Sequence, residues 1–360
     1  MTRAARAVID LAALRHNLQR ARTASPHSQH FAVIKADGYG HGMVAVAQAL
    51  ADADGFCVAS VEEALSLREA GITQPILLLE GFFQPSELDT IRQHELQIVV
   101  HHVAQLTALE ALDAGPAITV WLKVDTGMHR LGFRPDEVSA IWERLQACAA
   151  VAESPRLMTH LACADDFHNP VTLQQIQRFA EVLPGVDCLR SIANSAGILG
   201  WMPSHADIER PGIMLYGVSP FLNESGEARR LRPVMTLHSE LIAVKHCRQG
   251  DAVGYGGDWQ CPEDMPVGVV AIGYGDGYPR HAPQGTPLLV NGQQAPLVGR
   301  VSMDMICVDL RAQPDAQAGD AVVLWGEGLP AEEVARAAAT IAYELFCGVT
   351  ARVPREYVNG

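Results

Sequence analysis

Through its first two thirds the chain repeats one pattern: a short, continuous apolar run, then a stretch with helical spacing. The runs are "FAVIK" (31–35), "GFCVAS" (55–60), "PILLLE" (75–80), "LQIVVH" (96–101), "ITVWLKVD" (118–125), "RLMTHLA" (156–162), "CLRSIANS" (188–195) and "GIMLYG" (212–217). After the first come Met43, Val46, Ala47 and Leu50, and after the second Val61, Ala64, Leu65 and Leu67. Continuous apolar strands alternating with amphipathic helices indicate a parallel sheet covered on both faces. Eight such units within roughly 250 residues suit a (β/α)8 TIM barrel. An open doubly wound sheet competes with it, because periodicity does not separate the two.

Near residue 230 the texture changes. "RPVMTLHSELIAVKHC" and "MICVDL" alternate apolar and polar residues, and glycine-rich turns follow at "GYGG", "GYGDGYP" and "VNGQ". Asn291-Gly292 is a hairpin signal. "LPAEEVARAAATIAYELF" reads as one late helix with Glu332 and Glu333 in its first turn. The expected organisation is a barrel over 1–229 and a mainly antiparallel β domain over 230–360.

Composition narrows the function classes. The chain has 360 residues with 27 Lys plus Arg against 41 Asp plus Glu, a formal net charge of −14. Without a basic run, such a chain is a poor partner for nucleic acid or an anionic membrane surface. The eight cysteines form no CxxC pair, so they read as buried free thiols, with no metal site expected. The N-terminus lacks the apolar core of a signal peptide, and no run approaches the ~20 apolar residues of a membrane span. A cytoplasmic protein is expected.

On the barrel reading, the unusual polar residues fall at strand ends. Lys35 ends the first run, just before the glycines of "ADGYGHG". Lys123 lies in the fifth, with "DTGMHRLGF" carrying the chain on through Arg130. His160 is near the end of the sixth, Asn194 and Ser195 end the seventh, and Arg210, Gly212 and Ile213 precede or open the eighth. Catalytic groups of such barrels lie at the C-terminal strand ends, and phosphate sites commonly follow strands seven and eight. A lysine facing a phosphate-type site suits an aldehyde phosphate cofactor, pyridoxal phosphate (PLP), held as a Schiff base. Each residue alone has a plainer reading: Lys35 as an ion-pair partner, Ser195 as a helix N-cap, His160 as a core histidine. The weight lies in their falling at one barrel end.

These residues also carry a family resemblance. "AVIKADGYGHG" resembles the PLP-lysine motif of alanine racemases, and the likeness continues through "LKVDTGMHRLGF", "THLACAD", "IANSAG", "RPGIMLYG", "VGYGGDW", "IGYGDGYPR", "GRVSMDM" and "AYELFCGVTARVPR". It implies that Lys35 carries PLP, and that Tyr39, Ser195, Gly212, Ile213 and Tyr343 hold the phosphate. Arg210 would bond the pyridine nitrogen, with His160 on the ring and Asn194 beside it. Arg130 would meet the substrate carboxylate, steadied by Lys123, which is carbamylated in some members. Tyr255 would be the second catalytic base, with Tyr274, Met303 and Asp304 at the substrate entrance. The resemblance further implies a homodimer with shared active sites, alanine as substrate, and a first strand "RAVIDL" joined to the β domain. The loop "DDFHNPVT" (165–172) carries no motif meaning.

The chemistry is coherent with that set. Racemisation needs a proton removed from one face of Cα and one delivered to the other, so one base per face suffices. Lysine and tyrosine both have reference pKa values near 10, so each needs lowering by its surroundings. Three alternatives stand beside this reading: a racemase of broader substrate range, a PLP-dependent decarboxylase, and a non-catalytic PLP-binding barrel. Arg210 at the pyridine position counts against the second, and the β domain counts against the third.

Overall fold

The structure, a computed structural model, describes residues 4–152 and 154–360. Residues 1–3, part of the N-terminal stretch read above for a signal peptide, lie outside the described residues. Eight parallel strands follow one another around a barrel: β2 (Gln29–Val33), β3 (Gly55–Val58), β4 (Ile76–Leu78), β5 (Gln97–Val100), β6 (Val120–Lys123), β7 (Arg156–Met158), β8 (Arg190–Ser191) and β9 (Ile208–Glu209). β9 pairs with β2 in parallel. The remaining junction, β8 to β9, is made by the Arg210 N–H donating to the Ala193 carbonyl at 3.1 Å and the Ser191 hydroxyl donating to the Ile208 carbonyl at 2.5 Å. β3, β4 and β5 are buried at every residue, as strands must be when helices cover one face and the barrel interior fills the other.

Strand eight is not where the apolar pattern placed it. "GIMLYG" forms a 3-10 turn, Ile213–Tyr216, and the strand is the shorter Ile208–Glu209 before it. Pro211 explains this, since it has no N–H to give a ladder and ends the strand. The late helix is likewise two helices, Ala331–Ala337 and Ala342–Gly348, broken at Ala339, whose φ is +55°. The break turns Ile341 and Tyr343 toward the barrel mouth, where both line the main cavity. Of the cysteines, only Cys57, Cys148 and Cys261 are buried. Cys347 is exposed, on the helix that lines that cavity.

The second unit is built on β10 (Met235–Cys247), a long strand with irregular register after Leu237 and Leu241. Its other strands are β11 (Ala252–Val253), β12 (Trp259–Gln260), β13 (Met265–Val270), β14 (Pro287–Val290), β15 (Gln293–Val298), β16 (Ile306–Asp309), β17 (Ala321–Trp325) and β18 (Arg355–Val358). The order β13-β16-β15-β14-β17-β10, with β10 also pairing β13, closes a ring of antiparallel strands. The Asn291-Gly292 turn joins β14 and β15 with positive φ at both residues, as a type I′ hairpin requires. β1 (Arg6–Asp10) extends this sheet: it pairs antiparallel with β10 and parallel with β18. The chain therefore starts in the β unit, crosses to the barrel along helix Leu11–Ala24, and returns. Asn17 in that helix ties the return segment, bonding the Leu215 carbonyl and both the N–H and carbonyl of Arg232.

At the end of the barrel where the strands start, Glu209 is fully buried. One carboxyl oxygen accepts from the Ala206 N–H at 2.8 Å and the Ser28 hydroxyl at 3.3 Å. Burial pushes its pKa from 4.5 up to about 7, against the pull of the Ala206 N–H and Arg210. Because the folded value is the higher one, the unfolded chain ionises first, and stability is lost as pH rises from about 4.5 to about 7. The loss from this one group is about 3 kcal/mol. Glu209→Gln should flatten that part of the stability profile, which urea unfolding at a series of pH values measures.

Candidate active site

The end of β2 sets the geometry of the barrel mouth. Ile34 donates to the Cys57 carbonyl, continuing the ladder, and Lys35 follows immediately. The chain then makes a left-handed turn: Ala36, Asp37, Gly38 and Tyr39 have φ of +53°, +53°, +61° and +52°. Such a turn costs about 1–2 kcal/mol for each non-glycine residue, so it persists only because neighbours hold it. Glu63 accepts from the N–H of Ala36 and that of Ala59, both at 2.7 Å, and Asp37 accepts from the N–H of Met43 at 2.9 Å. Arg355 reaches across from β18 to the Gly40 carbonyl at 2.8 Å. Gly40 is needed for close approach: a β-carbon there would lie 2.1 Å from the Phe346 carbonyl oxygen. Its absence lets the helix bearing Tyr343 rest on the turn.

The mouth opens into a cavity of about 1040 Å³. Lys35, Tyr39, Lys123, Arg130 and His160 line it, as do Asn194, Ser195, Arg210, Gly212, Ile213 and Tyr343. All the barrel residues expected from the sequence are thus brought together. Ser195 Oγ accepts from the N–H groups of Gly212 at 2.9 Å and Met214 at 3.3 Å. A β-carbon at Gly212 would sit 2.9 Å from the Tyr39 hydroxyl, so this rim holds main-chain donors, a hydroxyl and a phenol with no side chain between them. That is the donor set a phosphate takes. Asn194, not Ser195, is the N-cap of the following helix, accepting from the Gly197 N–H at 3.0 Å. Ser195 is therefore left to the cradle.

Arg210 is buried deeper. Its guanidinium donates to Ser191 Oγ, to the carbonyls of Thr159 at 2.6 Å and Ile192 at 3.4 Å, and faces His160 Nδ1 at 3.5 Å. Those partners are all neutral. Guanidinium only donates, so His160 Nδ1 accepts and its proton sits on Nε2. Burial, followed by the charges of Arg210, Lys123, Arg130 and Lys35, holds the His160 pKa well below its usual value. The Lys123 amine is brought down to about 8 by burial, with Arg210, Arg130 and Lys35 adding to the effect. Burial pushes the Tyr343 phenol up to about 12 and that of Tyr39 well above its normal value.

Four of the expected residues lie elsewhere. Tyr255, Tyr274, Met303 and Asp304 belong to the β unit and do not line the cavity. Tyr255, Met303 and Tyr274 are 70%, 52% and 39% exposed. The Tyr255 loop is fixed by the Arg300–Asp258 ion pair, Tyr274 donates its N–H to the Ser302 carbonyl at 3.0 Å, and Asp304 pairs with Arg352 at 2.6 Å. One loop, 299–305, thus lies between them.

The comparisons with known proteins decide the family. Residues 9–220 match the alanine racemase N-terminal domain and residues 234–357 the C-terminal domain. The chain belongs to the alanine racemase family. An alanine racemase from Nitrosococcus oceani is 55% identical over 97% of this chain and 98% of its own length. One from Shewanella loihica is 53% identical over 97% of each. A crystal structure of biosynthetic alanine racemase from Pseudomonas aeruginosa superposes with a TM-score of 0.97 at 46% identity, covering 99% of this chain and 100% of that one. The activity of the chain is accordingly that of an amino-acid racemase acting on alanine. Enzymes of the alanine racemase family depend on PLP, and the phosphate-type rim and the lysine at the mouth fit that cofactor.

Sequence reasoning missed Glu63, Thr159 and Ser191. Glu63 had a signal, since Ser60-Val-Glu-Glu63 is a capping-box pattern and Ser60 does cap the helix at Val61. Thr159 and Ser191 had none. If Ser195 organises the rim, Ser195→Ala should leave two buried N–H groups without their acceptor and lower the stability of the cofactor-free protein by about 1–3 kcal/mol. Urea unfolding checks this.

Proposed function

We propose that the racemase works by two bases, Lys35 in the barrel and Tyr255 of the partner subunit, in a homodimer that shares its active sites. The observation that carries this is the one-sidedness of the cavity. Lys35 lines it, while the phenols and the imidazole beside it are poor proton acceptors: Tyr39 and Tyr343 have raised pKa values and His160 a depressed one. The second base is assigned outside the barrel, where Tyr255, Tyr274, Met303 and Met305 of the β unit are large apolar or aromatic residues left exposed, as residues of an interface are.

PLP, when bound, supplies an electron-withdrawing system that makes the α-proton of an attached amino acid acidic. Lys35 would carry the cofactor, then take or return a proton through Nζ on one face. Tyr255 Oη would do so on the other. Ser195, Tyr39, Tyr343 and the main chain at Gly212 and Ile213 would hold the phosphate, with Asn194 alongside. Arg210 has no acceptor and a fixed charge, so it would donate to the ring nitrogen and leave it unprotonated, with His160 packed on the ring. That limits charge delocalisation and disfavours side reactions such as transamination. Arg130 would hold the substrate carboxylate. Lys123, whose amine titrates near 8, would take up carbon dioxide as a carbamate, releasing a proton and placing an anion beside Arg130. Tyr274, Met303 and Asp304 would narrow the entrance to favour alanine.

The barrel of 1–229 and Tyr343 of 230–360 would then serve one active site, and Tyr255 of 230–360 the other. We place the protein in the cytoplasm, supplying D-alanine for peptidoglycan. The name of the Pseudomonas aeruginosa structure, a biosynthetic enzyme, supports that role. No described helix is long and apolar enough to cross a membrane.

The test has two arms. L-Alanine should lose optical rotation without release of carbon dioxide, and borohydride treatment of the purified enzyme should fix PLP on the peptide containing Lys35. Carbon dioxide release, or a label on Lys123 instead, would contradict the reading.

A further inference from the structure

Gln175 lies on helix Val171–Ala180, outside the cavity, and is fully buried. Its carboxamide uses both amide hydrogens and one lone pair of its oxygen on the segments just past two barrel strands. Oε1 accepts from the Ala162 N–H at 2.9 Å. Nε2 donates to the His160 carbonyl at 3.0 Å and to Thr126 Oγ1 at 3.2 Å. One turn along, Arg178 donates to the Thr126 carbonyl at 2.9 Å. These contacts fall beyond Lys123 and Met158, where β6 and β7 end and the main chain has lost its ladder partners. Buried main-chain groups there must find other partners, and the carboxamide stands in for a missing strand.

The hydrogen bonds have one consistent direction. Thr159 donates its only hydroxyl hydrogen to the Val124 carbonyl at 2.9 Å, so in its 2.8 Å contact with Thr126 the donor is Thr126. The chain runs from Gln175 to Thr126, to Thr159, to Val124. The carbonyl of Thr159 in turn accepts from Arg210 at 2.6 Å. One side chain on an outer helix therefore braces His160, the segment leading to Arg130, and the residue on which Arg210 rests.

We infer that Gln175 is a positioning residue for the reaction, acting through Thr126 and the main chain at His160 without touching substrate or cofactor. The inference rests on the roles proposed above for Arg130, His160 and Arg210. An apolar side chain of similar size would fill the same space, but it would leave the His160 carbonyl, the Ala162 N–H and the Thr126 hydroxyl to relax separately. Displacements of about 1 Å at such groups are enough to cost up to a hundredfold in rate.

The test uses the holoenzyme with Gln175→Leu, Thr126→Val and Thr126→Ser. Four quantities are measured: kcat, KM for L-alanine, the visible circular dichroism of bound PLP, and the affinity of the cofactor-free protein for PLP. Gln175→Leu and Thr126→Val should lower kcat about tenfold or more, with a changed dichroic band or weakened PLP binding. Thr126→Ser, which keeps the hydroxyl, should restore both to near wild type. If Gln175→Leu fails to fold, Thr126→Val decides. Variants with wild-type dichroism, PLP affinity and kcat would overturn the inference, as would a loss of activity that only tracks a lower melting temperature. Should the wild type itself fail to racemise alanine, the proposed function falls, while the dichroism and PLP affinity still judge Gln175.

Discussion

The mouth of the barrel is organised around a buried positive charge whose hydrogen-bond partners are all neutral. Arg210 is held by hydroxyl and carbonyl oxygens and a neutral imidazole, and Lys35, Lys123 and Arg130 line the same cavity. The protein as a whole carries −14, and Glu80, Asp165, Glu224 and Glu332 also line the cavity, so this concentration of cations is local to the surroundings of His160. It is felt by its neighbours: the His160 and Lys123 pKa values are both lowered, by burial first and by these cations after it. Desolvated cations clustered in this way favour anions beside them. A phosphate and an amino-acid carboxylate are two such anions, and the proposed function puts both in this cavity.

Holding those charges together takes structure away from the chemistry. The left-handed turn after Lys35 is strained, and it is held by Glu63 from a neighbouring helix, by Asp37 within the turn, and by Arg355 from the last strand of the β unit. β1 and β18 lie side by side in the β unit, so the segments that lead into and out of the barrel are joined there. The β unit thus supports the cavity of its own barrel through Arg355. It also presents Tyr255 away from that cavity.

How far the sequence could be read depended on what each residue type must do. Lys35 stood out because a strongly hydrated amine does not end a buried strand without cause. Ser195, Arg210 and Gly212 were legible because strand order brings them to the same barrel end as Lys35, although β9 closes directly against β2 and so sets Arg210 and Gly212 beside the lysine rather than across from it. Strand eight was misplaced because "GIMLYG" is as apolar as a strand. Pro211 was the available warning. The late helix broke at Ala339, an alanine in left-handed backbone that no composition rule would single out. Glu63 had a capping pattern that went unused. Thr159, Ser191 and Gln175 act by hydrogen bonds between segments far apart in sequence, and no local spacing encodes that. Tyr255 came only from the family resemblance, since a tyrosine in a glycine-rich turn also suits a hairpin cap.

The central claim is that one chain holds only half of an active site, and that claim can be tested directly. Lys35→Ala and Tyr255→Phe proteins should each be inactive. Refolded together in equal amounts, they should form heterodimers in about half of the population, each with one of its two sites intact. Racemisation should then return to about a quarter of the wild-type rate. A mixture that stays inactive although heterodimers are shown to form would mean that Tyr255 serves its own subunit or is not the second base.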